Sequence, residues 1–525
     1  MEPVKETNVS TTSETHKKES IFIRILKAIG NFFKRIGLAI AGFFKKLFSG
    51  IKNFFINLIE KFKDGSLGTK LSFLIFGAGN FYHKQFIKGS LFLILQIAII
   101  LFMVLCPEIN GTPYGYKALV NLRLTGNPDF YPIYNEDGRV IGMHNADNST
   151  LFLLFGIVTI AVIVLYFILW MSNIKSSYKA DMDLKAGKKP TSFKEDWQAL
   201  LDSRFHILMI TPTCLAATIF TVIPTIFMIS MAFTTYNQVD MNAAEDPYYK
   251  VLFHWNGFTN FKEMFGGTSS LGREISARFF PVLGWTFIWA ILATFTCYFG
   301  GIILAILINK KGIGFKKVFR TVFILTIAIP QFISLLAMRN LLSGSGPVNQ
   351  ILISMGLIEK PIGFLGLNTT GDSAMVARVM VIVINMWVGI PYTMLMTSGI
   401  LMNIPTDLYE AARVDGTSKL KMFFKITLPY IIFVTTPYLI STFVGNITSF
   451  NTIFLLTSGG PSVPNGTYVA GQTDLLVTWL YKLTIDNAEY NTGSLIGILT
   501  FLITATITLI FYRRSKAYNE EDTFQ

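Results

Sequence analysis

Charge is scarce in this sequence. Only 15% of its 525 residues are Asp, Glu, Lys or Arg, where a soluble chain carries about 25%. That shortage, with 51% hydrophobic residues, excludes an ordinary soluble fold. Apolar runs of eighteen or more residues recur, each long enough to cross a hydrocarbon core about 30 Å thick. The alternating segments of roughly ten residues that an outer-membrane barrel needs are missing. The chain therefore reads as an all-α polytopic membrane protein.

Other absences narrow the chemistry. The three cysteines, Cys106, Cys214 and Cys297, have no CxxC spacing and no nearby His, so neither metal nor disulfide is indicated. The five histidines are scattered and form no HExxH. No G-x-x-x-x-G-K-[ST] occurs, so no nucleotide is held through a P-loop and no cofactor is expected in this chain. Asp, Glu and Lys are also missing from the middle of every predicted span, and Arg339 and Arg378 lie toward span ends. Ion-coupled carriers usually need such buried groups or broken helices. A neutral midplane instead suits a neutral, hydroxyl-rich solute moved by energy from elsewhere. The alternative is an ATPase-independent secondary carrier or facilitator for a neutral sugar.

Eight spans are predicted, at about 87–106, 151–173, 206–234, 281–308, 321–342, 376–402, 431–456 and 492–512. An apolar stretch at 71–81 is too short to span and reads as re-entrant or interfacial. The net charge of +13 does not point to nucleic acid, because it follows the loops. Loops 174–205, 309–320 and 403–430 and the tail from Arg513 hold 19 Lys and Arg in fewer than 90 residues; the alternate loops hold 9 in more than 150. By the positive-inside rule both termini are then cytoplasmic, in a multi-pass protein of a bacterial cell membrane.

Residues 1–20 are polar and read as a disordered tail. Residues 21–66 carry Phe32-Phe33, Phe43-Phe44 and Phe54-Phe55 at eleven-residue intervals, close to a helical repeat of about 3.67 residues per turn. Lysines and arginines flank the Phe stripe. This is expected to be a basic amphipathic helix lying in the membrane interface, meeting lipid through residues 21–63. Next come an N-terminal membrane region at 67–205 with two spans, a six-span core at 206–512, and a cytoplasmic tail at 513–525.

Two groups of residues carry the functional reading. In loop 403–430, Asp407-x-x-Glu410 has capping-box spacing for a short helix. Leu408, Ala411 and Ala412 give that helix a small apolar face, and Gly416 is placed to end it. A second short helix, Lys419 to Ile426, is expected to be closed by Pro429. In the later spans, Gln331, Ser334, Asn385, Trp387 and Gly389 supply amide, hydroxyl and aromatic groups. Thr442, Gly445, Asn446 and Ser449, at i, i+3, i+4 and i+7, form one polar helix face. Sugars are bound by such groups, although polar helix packing uses them too.

These residues carry a resemblance. Glu-Ala-Ala from Glu410, Gly416 and Ile426-Thr-Leu-Pro429 match the EAA loop of ABC-importer permeases. Pro224-Thr-Ile-Phe-Met-Ile-Ser-Met-Ala-Phe-Thr234, Trp285-Thr286, Asn385-Met-Trp-Val-Gly389 with Pro391-Tyr392, Phe454-Leu-Leu-Thr-Ser-Gly-Gly-Pro461 and Thr473-Asp-Leu-Leu476 follow in order. The chain resembles MalF-type permeases of maltodextrin or other oligosaccharide ABC importers, most strongly from about Ile223. The resemblance implies a type I importer permease fold with eight transmembrane helices. It also implies a non-catalytic subunit that pairs with a MalG-like second permease, a MalK-like ATPase dimer that uses ATP and Mg, and an extracellular sugar-binding protein. Glu410, Ala411, Ala412, Asp415 and Gly416 would dock the ATPase. Ile327, Gln331, Asn385, Val388, Gly389, Thr442, Gly445, Asn446 and Ser449 would contact the sugar. Ile327 and Gly445 replace aromatic residues of the maltose permease pattern, which removes stacking surface.

Overall fold

The computed structural model describes residues 42, 45–46, 48–109, 112–124, 131–134, 140–144, 148–237, 253–267, 269–310, 314–367, 373–463 and 470–514. Residues 1–20, the first two Phe pairs, Asn368-Thr-Thr and the tail beyond residue 514 lie outside them. The chain divides into two compact units: residues 1–101 with 162–211, and residues 102–161 with 212–525. Residues 102–161 thus group with the later part of the chain.

In the first unit, residues 48–64 form a helix (α1). Phe48, Ile51, Phe55 and Ile59 are exposed along it, as an interfacial helix requires. Phe86–Leu105 (α2) and the long Ser149–Lys185 (α3) are apolar enough to span. The stretch at 71–81 does not span. It is a turn between two one-turn helices, Leu67–Leu71 and Ala78–Tyr82, with Phe76 and Asn80 fully buried. Irregular backbone is tolerated in a membrane protein only where protein satisfies its polar groups. Here α2 and α3 do so. Gln96 accepts from Phe76 N at 2.8 Å and donates to Leu74 O at 2.9 Å. Asn173 accepts from Gly77 N and donates to Ser72 O, both at 2.8 Å. Trp170 Nε1 donates to Phe73 O at 2.9 Å. Below this lies a buried polar pair, His83 Nε2 and Asp181 Oδ1, 2.5 Å apart.

The second unit holds the remaining spans: Phe205–Ala217 continuing to Met231 (α4, from Pro212 onward), Ser270–Asn309 (α5), Ala374–Met402 (α8), Leu428–Ile447 (α10) and Tyr490–Arg514 (α12). Between them lie Lys316–Ala328 (α6), Gln331–Leu341 (α7), Thr406–Val414 (α9) and Asn451–Thr457 (α11). Two antiparallel ribbons, Glu108–Ile109 with Thr112–Pro113 and Tyr131–Tyr134 with Val140–His144, interrupt the all-helical expectation in the loop before α3. The core is built on α5 and α8, where Trp285, Trp289, Ala293, Val381 and Ile384 pack with Leu335, Ile453 and Leu475.

Three expectations are corrected. The predicted fifth span is not one helix: α6 and α7 meet at 94°. Ile329 and Pro330 are extended there, with ψ of 127° and 130°; proline forces its predecessor out of the helical region and supplies no N–H. The predicted seventh span is also divided, since α10 ends at Ile447 and α11 starts at Asn451. Thr448 Oγ1 turns back to the carbonyls of Val444 and Gly445, the competition with helical bonding that Ser, Thr and Asn clusters bring. Finally, Pro429 closes nothing. Lys419 runs on to Ile447 as one helix, because a wide turn at Phe423–Thr427 relieves the proline ring. Thr218–Val222 does the same ahead of Pro224 in α4.

Asn173→Ala should remove two side-chain bonds from the 71–81 turn and destabilise the protein by about 2 kcal/mol or more. Thermal unfolding in detergent would show it; an unchanged midpoint would mean the turn is held otherwise.

Candidate functional site

The break between α6 and α7 opens a cavity of about 410 Å³, within the usual range for small-molecule sites. Residues 326–331 form one wall, the middle of α8 a second, and α5 with α10 the rest. The break leaves the last carbonyls of α6 and the first amides of α7 without intrahelical partners at this wall. Broken helices present polar backbone to a substrate in this way in membrane carriers.

Seven of the nine predicted contact residues line the cavity: Ile327, Gln331, Asn385, Val388, Gly389, Thr442 and Asn446. Gly445 and Ser449 do not. Gly445 sits on an adjacent, open face of α10, with nothing within 4 Å of a Cβ built on it. Ser449 falls after the end of α10 and meets Thr452 instead, so the four-residue polar face shortens to Thr442 and Asn446.

Neighbouring bonds fix these side chains. Asn446 donates to Thr294 Oγ1 at 2.9 Å, and its carbonyl accepts from Trp289 Nε1 at 3.2 Å. Asn385 Nδ2 lies 3.4 Å from Cys297 Sγ. Gly389 is required by close approach, because a Cβ there would stand 2.7 Å from Cys297 Sγ.

The sequence reading missed Tyr392 and Tyr438 as a pair. Both line the cavity, their rings stacked at 6.0 Å and 26°, and Tyr438 OH lies 3.4 Å from Thr393 Oγ1. They restore the aromatic surface that Ile327 and Gly445 lack. Their separation, 46 residues apart on different helices, hid the pairing. No Asp, Glu, Lys, Arg or His is among the described residues that line the cavity.

Two stretches quoted from the sequence for their pattern meet beyond the helix ends. Thr473 Oγ1 donates to Gly460 O at 2.6 Å, and Thr473 N donates to Gly459 O at 3.1 Å. Gly459 has φ +80° and leaves no room for a Cβ against Asp474. Burial pushes the Asp474 carboxyl above the usual carboxylate range, although Lys482, Gly471 N and Thr478 all bind it. Arg378 joins this latch to α5 by stacking 4.6 Å over Trp285 and bonding Gln472 O at 2.9 Å.

The second site is the loop after α8. α9 begins with Pro405 at its N-cap and no side-chain cap, so the expected capping box is not made. Pro405 starts the helix two residues too early for Asp407 to cap it, and Glu410 is left exposed. Gly416, at φ +67°, follows the helix end, with Asp415 N and Gly416 N bonded to Ala411 O and Arg413 O. Ala411, Asp415 and Gly416 are exposed and Ala412 half-buried. Leu408 at 47% and Val414 at 88% exposure add apolar surface that the chain itself leaves uncovered. Tyr409 OH, 2.9 Å from Thr427 Oγ1, ties this helix to the base of α10.

Residues 298–517 match the family described as binding-protein-dependent transport system inner membrane component. Over 449 residues the chain is 31% identical to the galactooligosaccharides transport system permease protein GanP of Bacillus subtilis strain 168, covering 85% of this chain and 97% of that protein. The chain belongs to this permease family. The permease is similarly 31% identical over 460 residues to the maltodextrin transport system permease protein MalC of Streptococcus pneumoniae, covering 86% and 96% of the two chains. Its likeness to the maltose/maltodextrin permease MalF of Escherichia coli K12 is 34% over 268 residues, 50% of this chain and 49% of that one. It is the membrane-spanning subunit of an ABC importer, with seven helices long enough to span plus the bent pair α6–α7 among its described residues.

Gly389→Ala should destabilise this permease. The contact with Cys297 costs about 1–3 kcal/mol, more than the gain in helix propensity of up to about 1 kcal/mol. Adding Cys297→Ala should recover part of the loss in a double-mutant cycle. Strict additivity of the two unfolding shifts would contradict the close approach.

Proposed function

We propose that this permease passes maltodextrin-like oligosaccharides through the cavity at the α6–α7 break, with access alternating as partner ATPases open and close. The observation that carries this reading is the composition of the cavity. Amides of Gln331, Asn385 and Asn446, hydroxyls of Thr326, Thr393 and Thr442, and the rings of Tyr392 and Tyr438 line it, with no charged side chain among the described residues. A polyhydroxylated neutral solute matches hydrogen bonding on its edges and stacking on its faces. The relatives named above, which carry galactooligosaccharide and maltodextrin names, support the same substrate class.

Energy would enter at α9. Glu410, Ala411, Ala412, Asp415 and Gly416 would seat in a MalK-like ATPase dimer, which binds ATP and Mg; this chain would hold no cofactor and catalyse nothing itself. A MalG-like permease would complete the translocation path, and an extracellular sugar-binding protein would deliver the substrate. The basic-loop bias supports cytoplasmic N- and C-termini, with α9 on the same side.

Two variants test this reading. Glu410→Lys reverses the charge on an exposed docking helix and should weaken ATPase association at least about thirtyfold, as loss of an interface hot spot does, while insertion is intact. Co-purification and uptake by the reconstituted importer read it, and unaltered uptake rules out the docking role. Thr442→Ala with Asn446→Ala should lower oligosaccharide uptake about tenfold or more, each lost hydrogen bond being worth about 1 kcal/mol, with ATP hydrolysis retained. Ser449→Ala should leave uptake near normal. Equal effects of the two changes would remove the cavity from the substrate path.

A further inference from the structure

A second cavity, of about 370 Å³, lies in the first unit between α1 and the polar end of α3. Asn53, Asn57 and Lys61 recur every four residues along α1 and therefore share one stripe. They face Met171, Ile174 and Lys175 across the groove. The apolar run of α3 ends at about Met171, so Lys175 stands one turn beyond it, at headgroup level.

Three contacts hold the groove open rather than leaving α1 loose. Phe62 packs edge-on against Phe73 at 5.2 Å, Lys185 Nζ bonds Asp64 O at 2.6 Å, and Ser66 N bonds Asp181 Oδ2 at 2.8 Å. The two ammonium groups repel one another: partial burial, and then Lys175, lower the Lys61 pKa. Among the described residues, no carboxylate lies within ion-pair distance of either lysine. On the α1 side, Phe54 and Leu58 also line the groove, and exposed Phe54 offers a surface for hydrocarbon at its rim.

We propose that the groove between α1 and α3 is a binding site for the headgroup of an anionic phospholipid such as phosphatidylglycerol. The phosphate would sit between Lys61 and Lys175, the amides of Asn53 and Asn57 would meet phosphate oxygens or glycerol hydroxyls, and the acyl chains would leave past Phe54 and Leu58 at the rim. This deepens the reading of α1 as interfacial by assigning one site in place of diffuse attraction. It rests on that reading and not on the transport function.

The test is native mass spectrometry of the full-length chain titrated with phosphatidylglycerol or phosphatidylcholine. Lys61→Gln with Lys175→Gln should weaken phosphatidylglycerol binding about thirtyfold, a basic side chain near an anionic surface contributing about fivefold. Lys52→Gln with Lys63→Gln removes the same charge from exposed positions of α1 and should change it by less than about threefold. Phosphatidylcholine should bind weakly to all three proteins. Equal losses in the two double variants would show diffuse electrostatics and overturn the site, as would equal affinity for phosphatidylcholine. Should the first variant fail to fold, Lys175→Gln alone, at an exposed position, should still lose about fivefold. No loss in it refutes the proposal. An anionic-lipid effect absent even from the unaltered chain would count against α1 as an interfacial helix, leaving the transport reading untouched.

Discussion

A backbone N–H or C=O left without a partner in hydrocarbon costs several kcal/mol, so a chain in the bilayer departs from regular helix only where protein or a polar cavity receives the freed groups. The departures in this permease follow that constraint. In the first unit, the turn at 71–81 is bonded by Gln96, Asn173 and Trp170. In the second, the Ile329–Pro330 break faces a polar cavity, and the gap between α10 and α11 uses Thr448 and Ser449. The same constraint that makes broken helices rare makes this break informative, because it marks where the interior is polar.

Function divides along that line. Among the described residues no charged side chain lines the cavity, and α9, which follows α8 in the chain, leaves Leu408 and Val414 uncovered. The proposed binding and energy-input surfaces are different ones, both adjoining α8 and α10. Tyr409 and Thr427 tie α9, the proposed docking helix, to the base of α10, and α10 carries Thr442, Asn446 and Tyr438 into the cavity. Under the proposed function, a push on α9 would reach a cavity wall through one helix.

Much of this was legible in the residues. Hydropathy marked the seven long apolar helices, and Gly416 announced its left-handed turn. On α8, Asn385 and Gly389 were legible from their residue types, and Val388 only through the resemblance to MalF-type permeases. What was hidden had physical reasons. Pro330 was visible mid-span, but a proline inside an apolar run marks either a kink or a break, and Pro391 stays within an unbroken α8. The i, i+3, i+4, i+7 face failed at Ser449 because periodicity presumes a helix that the Thr and Ser side chains themselves end. Tyr392 and Tyr438 met only through packing, which no local pattern records. Asp407 looked like a cap by spacing, and Pro405 took the position first.

The central claim is that the solute path lies in this chain while the driving energy does not. Uptake of labelled maltodextrins into proteoliposomes tests it most directly, comparing this permease alone with the permease assembled with its partner permease, ATPase and binding protein. Uptake should depend on ATP and occur only with the full assembly. Sustained uptake by this chain alone, without ATP, would contradict it.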